Sequence, residues 1–304
     1  MDTIIQAKGL HKIYGETIAV DNITFEIQRG EIFGMLGPNG AGKTTTIECI
    51  EGLRQPDGGT VQVFGLDPQR NEYEIRERIG IQFQSAALPA RIKVGEALEL
   101  FSSFYQHRVE WPPLLEKIGL ADKKDALVSK LSGGQQQRVF IALALINDPE
   151  LVFMDELTTG LDPQSRRAMW DMILDMRTNG KTIFLTTHFM EEAERLCDRV
   201  AIVDHGKIIA LDTPANLIAS LNAENRVIFN CSNGLNLELL KNSTGVIRVE
   251  RLGERVIVYG KKEGLLSGVV NTLETNQIPF SDLRTEQPSL EDVFLALTGK
   301  EMRN

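Results

Sequence analysis

The sequence predicts an α/β fold, and three observations carry that expectation. An apolar segment, Ile32–Leu36, runs into a glycine-rich loop; two later apolar runs, 151–154 and 182–185, each follow a helical pattern; and residues 225–304 repeat a mixture of strand-like and helix-like segments on a smaller scale. Short runs that are apolar throughout, rather than alternating, mark strands buried on both faces of a parallel sheet. In chain order, β-rich segments lie around Ile4, Ala19 and residues 23–27, ahead of Ile32–Leu36. A helix is expected from near Thr44, where the glycine loop ends, and another helical run covers 139–146. Asp204, His205 and Gly206 form a turn signal that leads through an apolar strand, 208–211, to Asp212, Thr213 and Pro214. That proline, with the short helical segment after it, marks the exit from the main domain. Beyond it, 226–230, 246–249 and 255–259 read as strands and Leu265–Thr275 as a helix. The expected organisation is a main domain over residues 1–224 and a small α+β domain over residues 225–304.

Charge and composition narrow the function classes. The 304 residues carry 33 Lys+Arg against 42 Asp+Glu, a net charge of −9. The excess sits in residues 1–224, with 23 basic and 32 acidic side chains, while residues 225–304 hold 10 of each. Such a surface does not supply the phosphate-neutralising stripe of a general nucleic-acid binder, so no nucleic-acid partner is expected. The longest wholly apolar run, 139–146, is far short of the roughly 20 residues that a membrane-spanning helix needs. The first ten residues lack the basic, apolar and small-residue succession of a secretory leader. Cys49, Cys197 and Cys231 are too widely separated for a zinc pair or a disulfide framework, which predicts a reducing cytosol. His11, His107 and His205 lie outside any ligand cluster, and Met154, Met169, Met172 and Met176 read as core filler.

Three segments carry chemistry. Gly37, Pro38, Asn39, Gly40, Ala41, Gly42, Lys43 and Thr44 fit the pattern GxxxxGK[ST] between a strand and a helix, with Thr45 following. Glycines let backbone N–H groups turn inward around phosphate oxygens, the helix N-terminus favours negative charge, and Lys43 adds a point charge toward the β/γ-phosphates. Thr44 presents a hydroxyl to Mg²⁺. The apolar run 151–154 then delivers two carboxylates, Asp155 toward the metal shell and Glu156 toward a water placed for in-line attack. Together these motifs specify a phosphate-loop nucleotide hydrolase. The third segment, Leu131, Ser132, Gly133, Gly134, Gln135, Gln136, Gln137 and Arg138, opens a second helix whose N-terminus also suits a phosphate.

That third segment resembles the LSGGQ signature of the ATP-binding cassette (ABC) ATPases. The resemblance covers essentially all of residues 1–220 and implies a phosphate-loop cassette, a mixed sheet core with a helical subdomain, followed by a small α+β domain. It implies ATP and Mg²⁺ as cofactors, with Thr44, Gln84 and Asp155 around the metal. It implies a head-to-tail dimer, of two copies or with a similar ATPase, in which Ser132, Gly133, Gly134 and Gln135 cover ATP held by the other subunit. Tyr14, supported by Val20, stands where the family stacks an aromatic ring on adenine. Gln84, which follows the hydrophobic Phe83, matches the glutamine that touches Mg²⁺ and the attacking water, with Gln82 two residues earlier as the other candidate. His188 resembles the switch histidine at the γ-phosphate, and Asp162 matches the aspartate that joins subunits across the interface. Leu157 departs from the family, which has proline after the catalytic glutamate; without the fixed φ of proline a slightly looser loop is expected.

The resemblance also implies a driven partner. Residues 94–119 fall where the family docks a permease, and residues 287–299 resemble the closing segment of daunorubicin-resistance-type exporter ATPases. The expected function is ATP hydrolysis by a peripheral cytoplasmic subunit that drives export through separate integral membrane permeases. Two other readings compete: an importer ATPase with a regulatory tail, for which residues 225–304 are short, and a soluble cassette protein acting on ribosomes or DNA. The last would bring a second cassette or an inserted coiled coil, and neither is present in this sequence.

Overall fold

The computed structural model describes residues 2–82, 88–221, 224–231, 236–261 and 263–299. They divide into two compact units, Met1–Pro214 and Ala215–Lys300. The division falls after Pro214, the proline that marks the exit from the main domain in the sequence, and ahead of Glu224.

The first unit contains, in order, β1 (Thr3–Tyr14), β2 (Thr17–Gln28), β3 (Ile32–Leu36), α1 (Lys43–Ile50), β4 (Gly58–Val63), α2 (Glu72–Arg76), β5 (Ile79–Gln82), α3 (Val94–Ser102), α4 (Trp111–Lys117), α5 (Gly133–Ala144), β6 (Leu151–Asp155), α6 (Pro163–Thr178), β7 (Thr182–Thr187), α7 (Met190–Leu196), β8 (Arg199–Asp204) and β9 (Lys207–Asp212). A six-stranded sheet has the order β5-β6-β7-β3-β8-β9, parallel except for the antiparallel edge strand β9. Strands β3, β6 and β7 are buried at every position, which is why they read as unbroken apolar runs. A second, antiparallel sheet, β2-β1-β4, alternates instead and packs one face inward. Between the sheets Phe25 of β2 stacks on Phe33 of β3 at 5.3 Å, and Phe184 of β7 meets both rings edge-on at 5.9 and 5.6 Å. Burial of each such ring contributes roughly 1.5–3 kcal/mol before entropy is counted. A separate apolar cluster, including Val94, Leu98, Leu115, Ile118, Val139 and Leu143, holds α3, α4 and α5 together as the helical subdomain.

Strand order positions the site. In an open parallel sheet, ligands bind beyond the carboxyl ends of the strands. Here β6, β7 and β3 are adjacent, with Asp155 paired to Thr186 and Leu36 paired to Thr187. The segments that follow all three strands therefore leave the sheet side by side.

The second unit contains α8 (Pro214–Ser220), β10 (Asn225–Asn230), α9 (Leu237–Lys241), β11 (Val246–Leu252), β12 (Arg255–Gly260), α10 (Leu265–Thr275), β13 (Ser281–Glu286) and α11 (Leu290–Thr298). Its sheet, β11-β12-β10-β13, is antiparallel throughout. From β10 to β13 the βαββαβ order and this strand arrangement are those of the ferredoxin-like motif. Alternate residues Val227, Phe229, Val256 and Val258 pack with Leu240, Leu265, Val269 and Leu273 of the two helices. Close approach demands glycine at 268, where an added Cβ would lie 2.5 Å from the Thr244 carbonyl oxygen. Among the described residues no helix is long and apolar enough to cross a membrane.

Candidate functional site

The loop after β3 is built by backbone crowding. A Cβ at position 37 would lie 2.3 Å from the Val203 carbonyl oxygen, and one at 42 would lie 2.3 Å from that of Ala19. Gly42 also adopts φ 99°, the left-handed region where glycine is favoured, and caps α1. Pro38 accepts from the Ala41 N–H at 3.1 Å, and Ala41 accepts from Gly206 at 3.0 Å. Asn39 and Gly40 stand exposed at the crest of the loop. The first N–H groups of α1 lack intrahelical partners and face this loop as an anion-binding end. Lys43 is 4% exposed; its Nζ donates to the carbonyls of Gly37 at 2.8 Å and Pro38 at 3.1 Å and lies 3.3 Å from Glu156 Oε1. Burial lowers the Lys43 pKa, and Glu156 opposes that shift. Thr44 Oγ1 donates to Asp155 Oδ2 at 3.1 Å, with the half-buried Thr45 beside it.

Asp155 ends β6, and burial raises its pKa, while hydrogen bonds from Thr186 and Thr44 pull it back down. Thr186 Oγ1 donates to Asp155 Oδ1, and the same hydroxyl accepts from the Glu156 N–H at 3.2 Å. Glu156 sits at φ 49°, a left-handed conformation rare outside glycine and typical of strained functional positions. Its Oε1 faces Lys43, and its Oε2 lies 3.4 Å from Thr159 Oγ1 and 3.5 Å from His188 Nδ1. The structure thus gathers Lys43, Thr44, Asp155, Glu156 and His188 at one carboxyl edge of the sheet. Leu157 is 3% exposed, Thr159 N–H returns to the Glu156 carbonyl at 3.1 Å, and Leu161 N–H to that of Thr158 at 3.2 Å. Side-chain burial and two turn bonds thus restrain the loop that follows Glu156.

Glu51 closes α1 close to these carboxylates. Burial first, then the charges of Asp155 and Glu48, push its carboxyl up to about 8 from 4.5. The folded protein therefore holds a proton that the unfolded chain releases, and the group's contribution to stability falls as pH rises from 4.5 to about 8. Glu51→Gln is expected to raise the melting temperature near pH 8 and to change it little near pH 4.5. Melts at both values check this; an equal shift at the two would remove the charge as the cause.

The other candidate residues lie apart from this cluster in the hydrogen-bond network. Ser132 caps α5 in a reciprocal capping box: Gln135 N–H donates to Ser132 Oγ at 3.3 Å, and Ser132 N–H to Gln135 Oε1 at 3.0 Å. Ser132 and Gly133 are exposed, whereas Gly134 is buried where a Cβ would lie 2.7 Å from Ser165 Oγ. Asp162 caps α6, accepting from Gln164 and Ser165 N–H groups at 3.0 Å and from Ser165 Oγ at 2.6 Å. These bonds, the Ser165 hydroxyl first, hold its carboxyl below the ordinary value. No hydrogen bond or ion pair among the described residues joins Ser132, Gly133, Gly134 or Gln135 to the loop at 37–45. Tyr14 is 41% exposed, with the Lys12 and Arg54 cations each 5.5 Å from its ring centroid, and Val20 is buried. Gln84 lies outside the described residues; Gln82 is buried, with its Nε2 3.4 Å from Gln137 Oε1.

Residues 20–159 match the sequence profile of the ABC transporter family. Over 310 residues, covering 99% of this chain and 95% of the relative, the sequence is 40% identical to Nod factor export ATP-binding protein I of Ralstonia nicotianae. The chain belongs to the ABC transporter family. This ABC cassette protein is also 38% identical to daunorubicin resistance ATP-binding protein DrrA3 of Streptomyces coeruleorubidus, covering 99% of this chain and 98% of that one. Among solved structures it resembles the dimeric post-hydrolysis state of the ATP-binding cassette MJ0796 bound to ADP and Pi. The TM-score is 0.62 at 28% identity, over 69% of this chain and 98% of that one. The protein is an ATP-binding, ATP-hydrolysing cassette.

Sequence reasoning missed several residues that shape this ABC site. Thr186 bridges Asp155 and the Glu156 backbone, Thr159 touches the Glu156 carboxylate, and Ser165 fills the space beside Gly134. For Thr186 a signal existed: a threonine pair at the end of an apolar, fully buried strand needs a polar partner. Among the described residues no group of three or more His, Cys, Asp or Glu side chains is gathered to hold a metal by itself.

Proposed function

We propose that this chain is the ATP-driven subunit of a membrane exporter, working as a head-to-tail dimer on separate permease subunits at the cytoplasmic face of the membrane. The observation that carries the reading is the α5 N-terminus. It is capped, it exposes Ser132 and Gly133, and it shares no hydrogen bond with the phosphate loop of its own copy. A second anion-binding helix end is used if a facing copy presents it to the γ-phosphate, two ATP then being held at an isologous interface. The dimeric cassette with ADP and Pi supports the same arrangement.

In this mechanism ATP occupies residues 37–45 with its adenine against Tyr14, and Lys43 meets the β/γ-phosphates. Closure adds charge-assisted contacts from the partner copy's signature that exist only in the joined state. Glu156, oriented by Thr159 and the backbone bonds to Thr186, accepts a proton from the attacking water, and His188 contacts the γ-phosphate. Asp162 carries the state of each site across the interface. Thr44 and Asp155 offer hard oxygen donors suited to Mg²⁺, joined in this reading by Gln84. The ion, when bound, neutralises charge developing on the phosphate oxygens. Loss of the γ-phosphate removes the contacts that held the dimer shut.

The export direction rests on the two exporter relatives, which align over 99% of the chain and so include residues 225–304. For the permease, Leu100 of α3 and nearby Phe104 expose apolar side chains beside a groove lined by Lys93, Glu96, Glu99 and Trp111. The test is crosslinking of the tagged Glu156→Gln protein in its native cells with ATP present, followed by mass spectrometry of the attached peptides. A polytopic membrane protein joined near α3 and α4 is the expected capture. Recovery of ribosomal or DNA-bound proteins without a membrane subunit would overturn the transport reading, and a periplasmic-binding-protein-dependent permease would turn it toward import.

A further inference from the structure

Glu192 is a buried carboxylate that the site described above leaves unused. It lies in α7, four residues after His188, and is 3% exposed. One oxygen, Oε1, accepts two hydrogen bonds of 2.9 Å, from Thr158 Oγ1 and from Trp170 Nε1. Thr158 stands two residues after Glu156, in the loop that leads to Asp162; Trp170 belongs to α6, the helix that Asp162 caps. One atom therefore ties together the segment carrying His188, the loop leaving Glu156, and the helix at the proposed interface.

The tie has few substitutes. Among the described residues, every other hydrogen bond of residues 157–161 stays inside the loop or goes to Glu156. Thr158 to Glu192 is thus the hydrogen bond that anchors this loop to a different element. All three partners are buried, at 1%, 2% and 3% exposure for Thr158, Trp170 and Glu192. A buried hydroxyl, indole N–H or carboxylate is costly unless it is paired, so displacing one member leaves the others unsatisfied. One turn further along the same face of α7, Arg195 lies 5.3 Å from the Trp170 ring centroid and adds a second contact between the same two helices.

We propose that Glu192 is a positioning residue for ATP hydrolysis: by accepting from both Thr158 and Trp170 it fixes the Glu156 loop and α6 relative to the His188 segment. A displacement at His188 is then passed to Asp162 through two bonds rather than lost in a free loop. The proposal rests on the roles given above to Glu156, His188 and Asp162, and it adds a residue that touches neither nucleotide nor water.

The test compares Glu192→Leu, Glu192→Gln and Thr158→Val in the full chain. Glu192→Leu removes the acceptor, and kcat is expected to fall on the order of 10- to 100-fold, the size of effect that misplaced reacting groups produce. KM for ATP should stay within about twofold, because the phosphate loop is untouched. Glu192→Gln keeps an acceptor oxygen at the same place and should restore most of kcat, which a merely charged role would not allow. Thr158→Val leaves the carboxylate bonded to Trp170 and carries the test if Glu192→Leu fails to fold; it too should lower kcat with KM unchanged. In the Glu156→Gln background, adding Thr158→Val should reduce the fraction of dimer formed with Mg-ATP. Wild-type kcat in Thr158→Val, or a Glu192→Gln protein as impaired as Glu192→Leu, would overturn the proposal. Failure of Glu156→Gln alone to dimerise would instead count against the dimer reading, and the kcat comparison would still decide the role of Glu192.

Discussion

Lys43→Ala is expected to lower ATP hydrolysis by on the order of 100-fold or more, the loss typical when one charge stabiliser is removed from a preorganised phosphate site. The reason lies in where the ammonium is kept. It is 4% exposed and held by two loop carbonyls and the Glu156 carboxylate, so its nitrogen is positioned at the phosphate loop by the chain's own groups. Alanine removes that charge and strips Glu156 Oε1 of its cation. Steady-state phosphate release together with binding of a fluorescent ATP analogue checks both effects. Turnover within about threefold of wild type would mean that phosphates are not bound at this loop.

Glu156→Gln is expected to separate binding from chemistry. Loss of a general base costs about 10²- to 10⁴-fold in rate, while the glutamine keeps the shape of the side chain beside Thr159 and His188. With turnover slowed and ATP still bound, the protein should accumulate as a closed dimer in Mg-ATP, seen as a doubling of mass in size-exclusion chromatography with light scattering. A monomer under saturating Mg-ATP contradicts the clamp, and a wild-type rate moves the base to another residue.

How much of this could be read beforehand depended on whether the chemistry was contiguous in the chain. The loop from Gly37 to Thr44, the Asp155 and Glu156 pair, and the segment from Ser132 to Gln135 are each unbroken runs that the backbone delivers at one strand or helix end, so their geometry followed from their sequence. The partners that orient them come from elsewhere. Thr186 reaches Asp155 across 31 positions and Glu192 reaches Thr158 across 34, distances that only the parallel order β6-β7-β3 closes. At Leu157 only the missing proline could be read, whereas the burial of its side chain emerges from the fold. In the second unit, β13 escaped notice because its residues from Ser281 to Glu286 are all exposed or half-buried and polar but one, leaving no apolar pattern to read. Its pairing with β10 rests on the backbone ladder and on one polar side-chain bond, Asn230 Nδ2 to Asp282 Oδ2 at 2.8 Å, neither of which leaves an apolar pattern.

The contact between Gly134 and Ser165 also limits how these two positions can drift over evolutionary time. Any side chain at 134 would bring a Cβ within 2.7 Å of Ser165 Oγ and 3.0 Å of its Cβ, so the Ser165 side chain would have to shift, and a glycine at 165 would make room outright. That exchange, in the first turns of α6, costs about 0.5–1 kcal/mol of helix stability and deletes the hydroxyl bonded to Asp162. A larger residue at 134 therefore meets Ser165 at once, and a glycine at 165 gives up its bond to Asp162 without gain while 134 stays glycine. The two positions are coupled, and the smallness of Gly134 is favoured by helix spacing as well as by any nucleotide it meets.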